Sequence, residues 1–192
     1  MPLRHEMTES SYGRPGILLV PIPSFDITLL ASLTEPLHNA FGISVSVGND
    51  RHIDPSSAFD VYRNQYNSTV LIASLQNRFV DFNGKILGLT NVDLFVPVLT
   101  YVFGEAQLDG SIAVVSSRRL DDSFYGLTSD RKLHELRLLK EAVHELGHAF
   151  GLVHCSDYLC VMHSSTGVEE IDIKTEHFCS RCRQQLLEYT TI

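Results

Sequence analysis

The spacing of apolar and polar positions divides the chain into short strand-like and longer helix-like segments. The run "GILLVPIP" (16–23) is apolar and bounded by glycine and proline, the pattern of a buried strand. Asp26 is placed to cap the helical stretch "ITLLASLTEPLHNAF", and Gly42 to end it. Pro36 removes a backbone donor inside that stretch, so the pattern predicts either a kink or a later helix start. "ISVSVG" alternates with period two, as a half-buried strand does, and "NDRHIDPSSAFD" reads as an irregular connection turning at Asp54-Pro55. Asn67 or Ser68 can cap a helix through "TVLIASLQNRF". Two further strands follow, "KILGLTNVDLFVP" with a turn near Asn91, and "SIAVVSS" after the Asp109-Gly110 turn. Strands alternating with helices predict an α/β fold, a twisted mixed sheet flanked by helices.

The strongest helical period lies in "SDRKLHELRLLKEAVHELGHAFG". Leu136, Leu139, Val143, Leu146 and Phe150 make one apolar stripe. At about 100° per residue, His144 and His148 fall roughly opposite that stripe, with Arg137 and Glu141 before them on the same side. After Gly151 the chain turns rich in cysteine and serine.

That opposite face carries the candidate chemistry. His144 and His148 stand one helical turn apart, so their rings can share a metal ion. If the helix continued, His154 would be rotated by about 600° to the wrong side. Gly151 can adopt the left-handed conformation that ends a helix and returns His154 beneath the pair. Three neutral nitrogens leave a fourth tetrahedral position for water, the arrangement of a catalytic zinc site. Glu145, beside the first ligand, is then the general base for the zinc-bound water. The remaining histidines, His5, His38, His52, His134, His163 and His177, receive no role.

Four cysteines follow at once. Cys155 and Cys160 form a C-x4-C pair and Cys179 and Cys182 a C-x2-C pair, separated by 18 residues. That spacing suits a closed, structural zinc site that staples the C-terminal tail to the segment leaving the helix. Two disulfides or a redox C-x2-C are the competing readings. A structural zinc at Cys155 would also steady the backbone of its neighbour His154.

Length and charge narrow the rest. A chain of 192 residues fits a single domain, read as an α/β subdomain over about 1–151 and a small zinc-stapled subdomain over about 152–192. A net charge of −8 argues against nucleic acid as a partner. The polar start "MPLRHEMTESSYGRPG" is neither a secretory signal nor a membrane span, so a soluble, cytoplasmic monomer is expected.

The string "HELGHAFGLVH" resembles the long motif of the metzincin clan of zinc peptidases, with Met162 in "CVMHSS" as the candidate turn methionine. The order "HC", "CVM", "FCSRC" is similar to that of the archaemetzincin (archaelysin) family. The likeness reaches upstream through "YRNQY" and "DLFVPVLTYVFGEAQLDGSIAVVSSRRL" and is strongest from Val96 to Cys182.

The resemblance implies a metzincin-like sheet with an antiparallel edge strand above the cleft and two zinc ions per chain. His144, His148 and His154 would hold the catalytic ion, and Cys155, Cys160, Cys179 and Cys182 the structural one. Met162 would pack beneath the metal. The segment "SIAVVSS" is the candidate edge strand, to which an extended peptide could add. Some metzincins carry a tyrosine two residues after the methionine; Ser164 stands there instead, and Tyr158 lies nearby.

The function this implies is hydrolysis of peptide bonds. The alternative is a catalytically silent peptide-binding module that keeps the metal scaffold, and a third reading is a hydrolase of non-peptide amides. Glu145 favours an enzyme, because a retired site has no use for a base between two ligands.

Overall fold

The computed structural model describes residues 16–48 and 53–190. The polar start, His5, His52 and part of the connection after Gly48 lie outside them. In chain order the elements are β1 (Gly16–Pro21), α1 (Thr34–Phe41), β2 (Val45–Val47), β3 (Phe59–Asp60), β4 (Gln65–Asn67), α2 (Ser68–Arg78), β5 (Gly84–Thr90), β6 (Leu94–Phe95), β7 (Gly104–Ala106), β8 (Ile112–Ser116), α3 (Arg131–Ala149), α4 (Val168–Ile173) and α5 (Ser180–Thr190). Short 3-10 turns fill several connections.

The main sheet runs β2-β1-β5-β8-β7; every pair is parallel except β7 with β8. β3, β4 and β6 form a small second sheet. Because strand side chains alternate, each central strand feeds two cores. Ile17, Leu19, Leu87, Leu89, Ala113 and Val115 face α1 and α3, whereas Val20, Ile86, Ile112 and Val114 face α2. This three-layer arrangement explains why these strands read as continuous apolar runs.

Pro36 resolves as a later start. Ile27–Ser32 is a 3-10 turn capped by Asp26, and α1 begins at Thr34, which puts Pro36 in its first turn, where no intrahelical donor is needed. Gly42 ends α1 at φ 72°, and Asn67 caps α2 through Thr69 and Val70.

Two expectations change. The segment "SIAVVSS" is not the edge: β8 is fully buried between β5 and β7. The antiparallel edge strand is β7, three residues long and containing a glycine, too short for its period to be read. The apolar stripe expected on α3 also loses a member. Arg137, Lys140, Glu141, His144 and Glu145 are all buried, while Leu136 of the supposed core stripe is the exposed residue.

The C-terminal segment covers that polar side, and Val161, Met162, Ile171, Phe178 and Leu186 join the same core as α3. The contacts recur turn by turn. Arg137 pairs with Asp172 and Asp122, Lys140 donates to the Ile171 carbonyl at 2.9 Å, and Lys174 meets Glu141 at 2.9 Å.

Candidate metal centre

Asp130 caps α3 by accepting from the amides of Lys132 and Leu133, and the helix then runs to Ala149. Gly151 at φ +92° reverses the chain. Its amide donates to the His148 carbonyl, and the Leu152 amide to that of Gly147, both at 2.9 Å, so the turn satisfies the last helical carbonyls. His154 arrives beside the other two imidazoles. Ring centroids lie 4.6 Å apart for His144 and His148, 4.8 Å for His148 and His154, and 5.4 Å for His144 and His154.

The hydrogen bonds decide the tautomers. His144 Nδ1 lies 2.8 Å from the Val161 carbonyl, and His148 Nδ1 lies 2.7 Å from the Leu152 carbonyl. A carbonyl only accepts, so each Nδ1 carries the proton and each Nε2 is left with a bare lone pair. Those two Nε2 atoms sit 3.1 Å apart. Lone pairs so close repel unless a cation lies between them, and two nitrogens on one tetrahedral zinc stand about 3.3 Å apart. The residues therefore fit a zinc ion. Burial drives His144 well below its ordinary pKa, and lowers His148 and His154 as well, which keeps the rings neutral as ligands require.

Glu145 opens onto the same cleft, a space of about 530 Å³. Burial first, then the charge of Glu141, pushes its carboxyl well above the ordinary range; a cation among the histidines acts in the opposite direction. Gly104 of β7 lies directly over it. A Cβ there would stand 2.6 Å from Glu145 Cγ and 2.7 Å from the Val114 carbonyl oxygen. Tyr101, Phe103, Ser164, Ser165 and Thr166 also line the cleft. Tyr158 is absent from the lining; it is exposed and packs against His163. Met162 is fully buried under Gly147, between the two helical histidines, where a larger residue than glycine would strike its sulfur.

The four cysteine sulfurs form a second cluster, all within 4.8 Å of one another, and none is in a disulfide. Cys155 and Cys179 lie 3.8 Å apart, the separation of two sulfurs about 2.3 Å from one zinc. The amides of Asp157 and Cys179 donate to Cys155 and Cys160 at 3.4 and 3.3 Å, as thiolates attract. Burial raises the Cys155 thiol, but the Asp157 amide and Arg181 outweigh it and bring it down to about 7. Burial pushes Cys160 and Cys182 up instead, and a cation among the sulfurs would act in the opposite direction.

Between them the two clusters bring together the seven expected ligands, His144, His148 and His154 in one and Cys155, Cys160, Cys179 and Cys182 in the other. Gly104, Glu105, Ser165 and Lys174 come from segments with no local signature, so the sequence pattern does not point to them. Glu141 lies on the same side of α3 as the two histidines, as the helical period predicts.

Among the described residues no helix is long and apolar enough to cross a membrane. The profile of Peptidase family M54 matches residues 42–188. The chain is 39% identical to the archaemetzincin of Pyrococcus furiosus over 180 residues, covering 91% of this chain and 94% of that protein. It is 35% identical to the archaemetzincin of Methanocaldococcus jannaschii, covering 88% and 92%. Its fold superposes on the crystal structure of archaemetzincin from Methanopyrus kandleri with a TM-score of 0.82, at 34% identity, covering 93% and 97%. A zinc-dependent peptidase from Methanocorpusculum labreanum gives 0.81 at 33% identity, covering 89% and 100%. The chain therefore belongs to peptidase family M54, the archaemetzincins.

Proposed function

We propose that this chain, a zinc metallopeptidase of family M54, cleaves peptide bonds with His144, His148 and His154 holding a catalytic zinc, Glu145 moving the proton, and the four cysteines holding a second, structural zinc. One observation carries the reading. Two imidazole nitrogens with bare lone pairs face each other at 3.1 Å in a cleft that also presents a buried carboxylate.

Zinc, when bound, supplies Lewis acidity, lowering the pKa of water and polarising a carbonyl. The chain's own groups do the rest. Val161 and Leu152 hold the two helical rings with Nε2 turned inward. Glu145 accepts a proton from the attacking water and delivers it to the departing nitrogen as the C–O bond forms and the C–N bond breaks. Its burial keeps bulk water from competing for that proton. The free side of β7 supports an extended substrate, which could continue the sheet as a further strand.

Peptide-library cleavage by the zinc-loaded protein tests the proposal. A Glu145→Gln variant should keep both ions by elemental analysis and lose turnover by about 10²–10⁴-fold, the range of general acid–base contributions. Retained turnover removes Glu145 from its role. Absence of turnover in the wild type, with binding intact, favours the silent peptide-binding module.

A further inference from the structure

Lys85, Leu87 and Leu89 alternate on the face of β5 that meets α3, and both leucines are core residues. The lysine is the anomaly. A half-buried ammonium beside an apolar face must replace its lost water with protein acceptors. Lys85 does so with the carbonyls of Gly110 and Ala149, each 2.8 Å from Nζ, and with the face of the Phe150 ring, whose centroid lies 4.9 Å away. Ala149 is the last residue of α3, and Gly110 sits in the turn between β7 and β8. One cation thus joins the end of the histidine-bearing helix to the hairpin that carries the edge strand.

A second tie lies alongside. Asp109, a left-handed turn residue at φ 52°, donates its amide to the His148 carbonyl at 3.0 Å. Further along β7, Gly104 passes over Glu145. The strand and its turn are therefore held along α3 from the proton carrier to the second histidine. Phe103 and Gln107 bond to Ser116 and Ile112 on the β8 side, so alternation leaves the peptide groups of Gly104 and Ala106 facing the free edge. A substrate paired with those groups meets the metal only when β7 stands at the right height over α3, and a misplacement of about 1 Å can cost about 10²-fold in rate. The two carbonyl oxygens converge on Lys85 Nζ, and that of Ala149 lies at the negative end of the helix. Without the cation between them they repel, and the hairpin moves away from the helix end.

We infer that Lys85 is a positioning residue for the cleavage: by drawing the Gly110 and Ala149 carbonyls onto one ammonium, it sets the height of β7 over the end of α3 that presents His148. Lys85 does not line the cleft, so it acts through β7 and α3 and not on the substrate. The inference rests on the zinc-peptidase reading above and adds the residue that aligns the substrate strand with the metal.

Two hydroxamates, which bind zinc through their own oxygens, separate the metal from the strand. Acetohydroxamate reports the metal alone, and a tri-alanyl hydroxamate reports the metal and β7 together. The zinc-loaded wild type should bind the tri-alanyl compound about tenfold more tightly, or better. Lys85→Met keeps the aliphatic stem and removes the ammonium. It should leave the Kd of acetohydroxamate unchanged and bring the tri-alanyl Kd close to it. Lys85→Arg, which keeps the charge and the donors, should restore most of the difference. The kcat for a peptide that the wild type cleaves should fall and recover in the same order. Thermal melts confirm folding, and Lys85→Gln, with a single amide donor group, carries the test if the methionine variant does not fold. If Lys85 only stabilises the fold, Lys85→Met lowers Tm while the difference between the two hydroxamates survives, which overturns the inference. A tri-alanyl compound that binds the wild type no better than acetohydroxamate also overturns it, because β7 then takes no part. If acetohydroxamate itself does not bind the zinc-loaded wild type, the metal reading is what fails, and the inference falls with it.

Discussion

At the scale of single residues, the site depends as much on what is missing as on what is present. Gly104 has no side chain where β7 crosses above Glu145, and the space a methyl group would need is shared by the Glu145 side chain and a backbone carbonyl. The carbonyl of Val114 is fixed by the sheet, so Glu145 must yield. Gly104→Ala should therefore reduce kcat by about tenfold or more through misplacement of the proton carrier. Zinc content and the order of the three histidines should not change. A variant with wild-type kcat would mean that Glu145 tolerates displacement. The contrast with the ligands explains what can be read from sequence at this scale. Histidine and cysteine ligands need fixed residue types at fixed spacing, so "HELGHAFGLVHC" announces itself. The pairing of Glu141 with Lys174 joins positions distant in the chain, and the approach of Gly104 to Glu145 joins a short strand to a helix. Neither leaves a periodic trace.

At the scale of elements, α3 is legible at both ends and misleading in the middle. Asp130 and Gly151 mark its limits by chemistry that acts locally. On its polar face Arg137, Lys140, Glu141 and His144 are buried, since each meets a partner from the C-terminal segment that periodicity along one helix cannot anticipate. The missed edge strand has the same origin: a three-residue strand is defined by its neighbour β8, not by its own pattern. The turn at Gly151 links the helix to the third histidine, and its conformation is the one a side chain tolerates least. At φ +92°, an alanine would pay roughly 1–2 kcal/mol in backbone strain, and its Cβ would lie 2.9 Å from the Tyr189 ring of α5. Gly151→Ala should lower Tm by roughly 2–8 °C. It should also weaken zinc affinity at the histidine site, because His148 is oriented by the Leu152 carbonyl just past the turn. Competition against a chelating indicator measures that affinity. Unchanged affinity with lowered Tm would separate the turn from the site.

At the scale of the molecule, the structural metal proposed among the four cysteines would hold the C-terminal segment over α3. Residues 155 and 160 precede the turn that presents the Val161 carbonyl to His144, and residues 179 and 182 open α5. A metal among the four sulfurs would close a loop that contains α4, Asp172 and Lys174, the groups that pair with Arg137 and Glu141. Phe178 packs edge-on to Phe41, and Arg183 donates to the Ala40 carbonyl, so the same segment is anchored to α1 as well. The two clusters differ in access. His154 is exposed at the cleft, whereas three of the four cysteines are buried. Graded chelation should therefore remove one equivalent of zinc first, abolishing turnover with little loss of far-UV ellipticity, and a second only under harsher conditions, with cooperative loss of the tertiary fold. Cys182→Ser should bypass the first stage: Tm should fall by roughly 10 °C or more, and turnover with it, although no residue of the catalytic cleft has changed. Simultaneous release of both equivalents, or a Cys182→Ser protein with wild-type melting and activity, would show that the histidine site stands without the staple. The physical reason to expect dependence is specific: His144 keeps its proton on Nδ1, and its lone pair on the metal side, only while the carbonyl of Val161 is held in place.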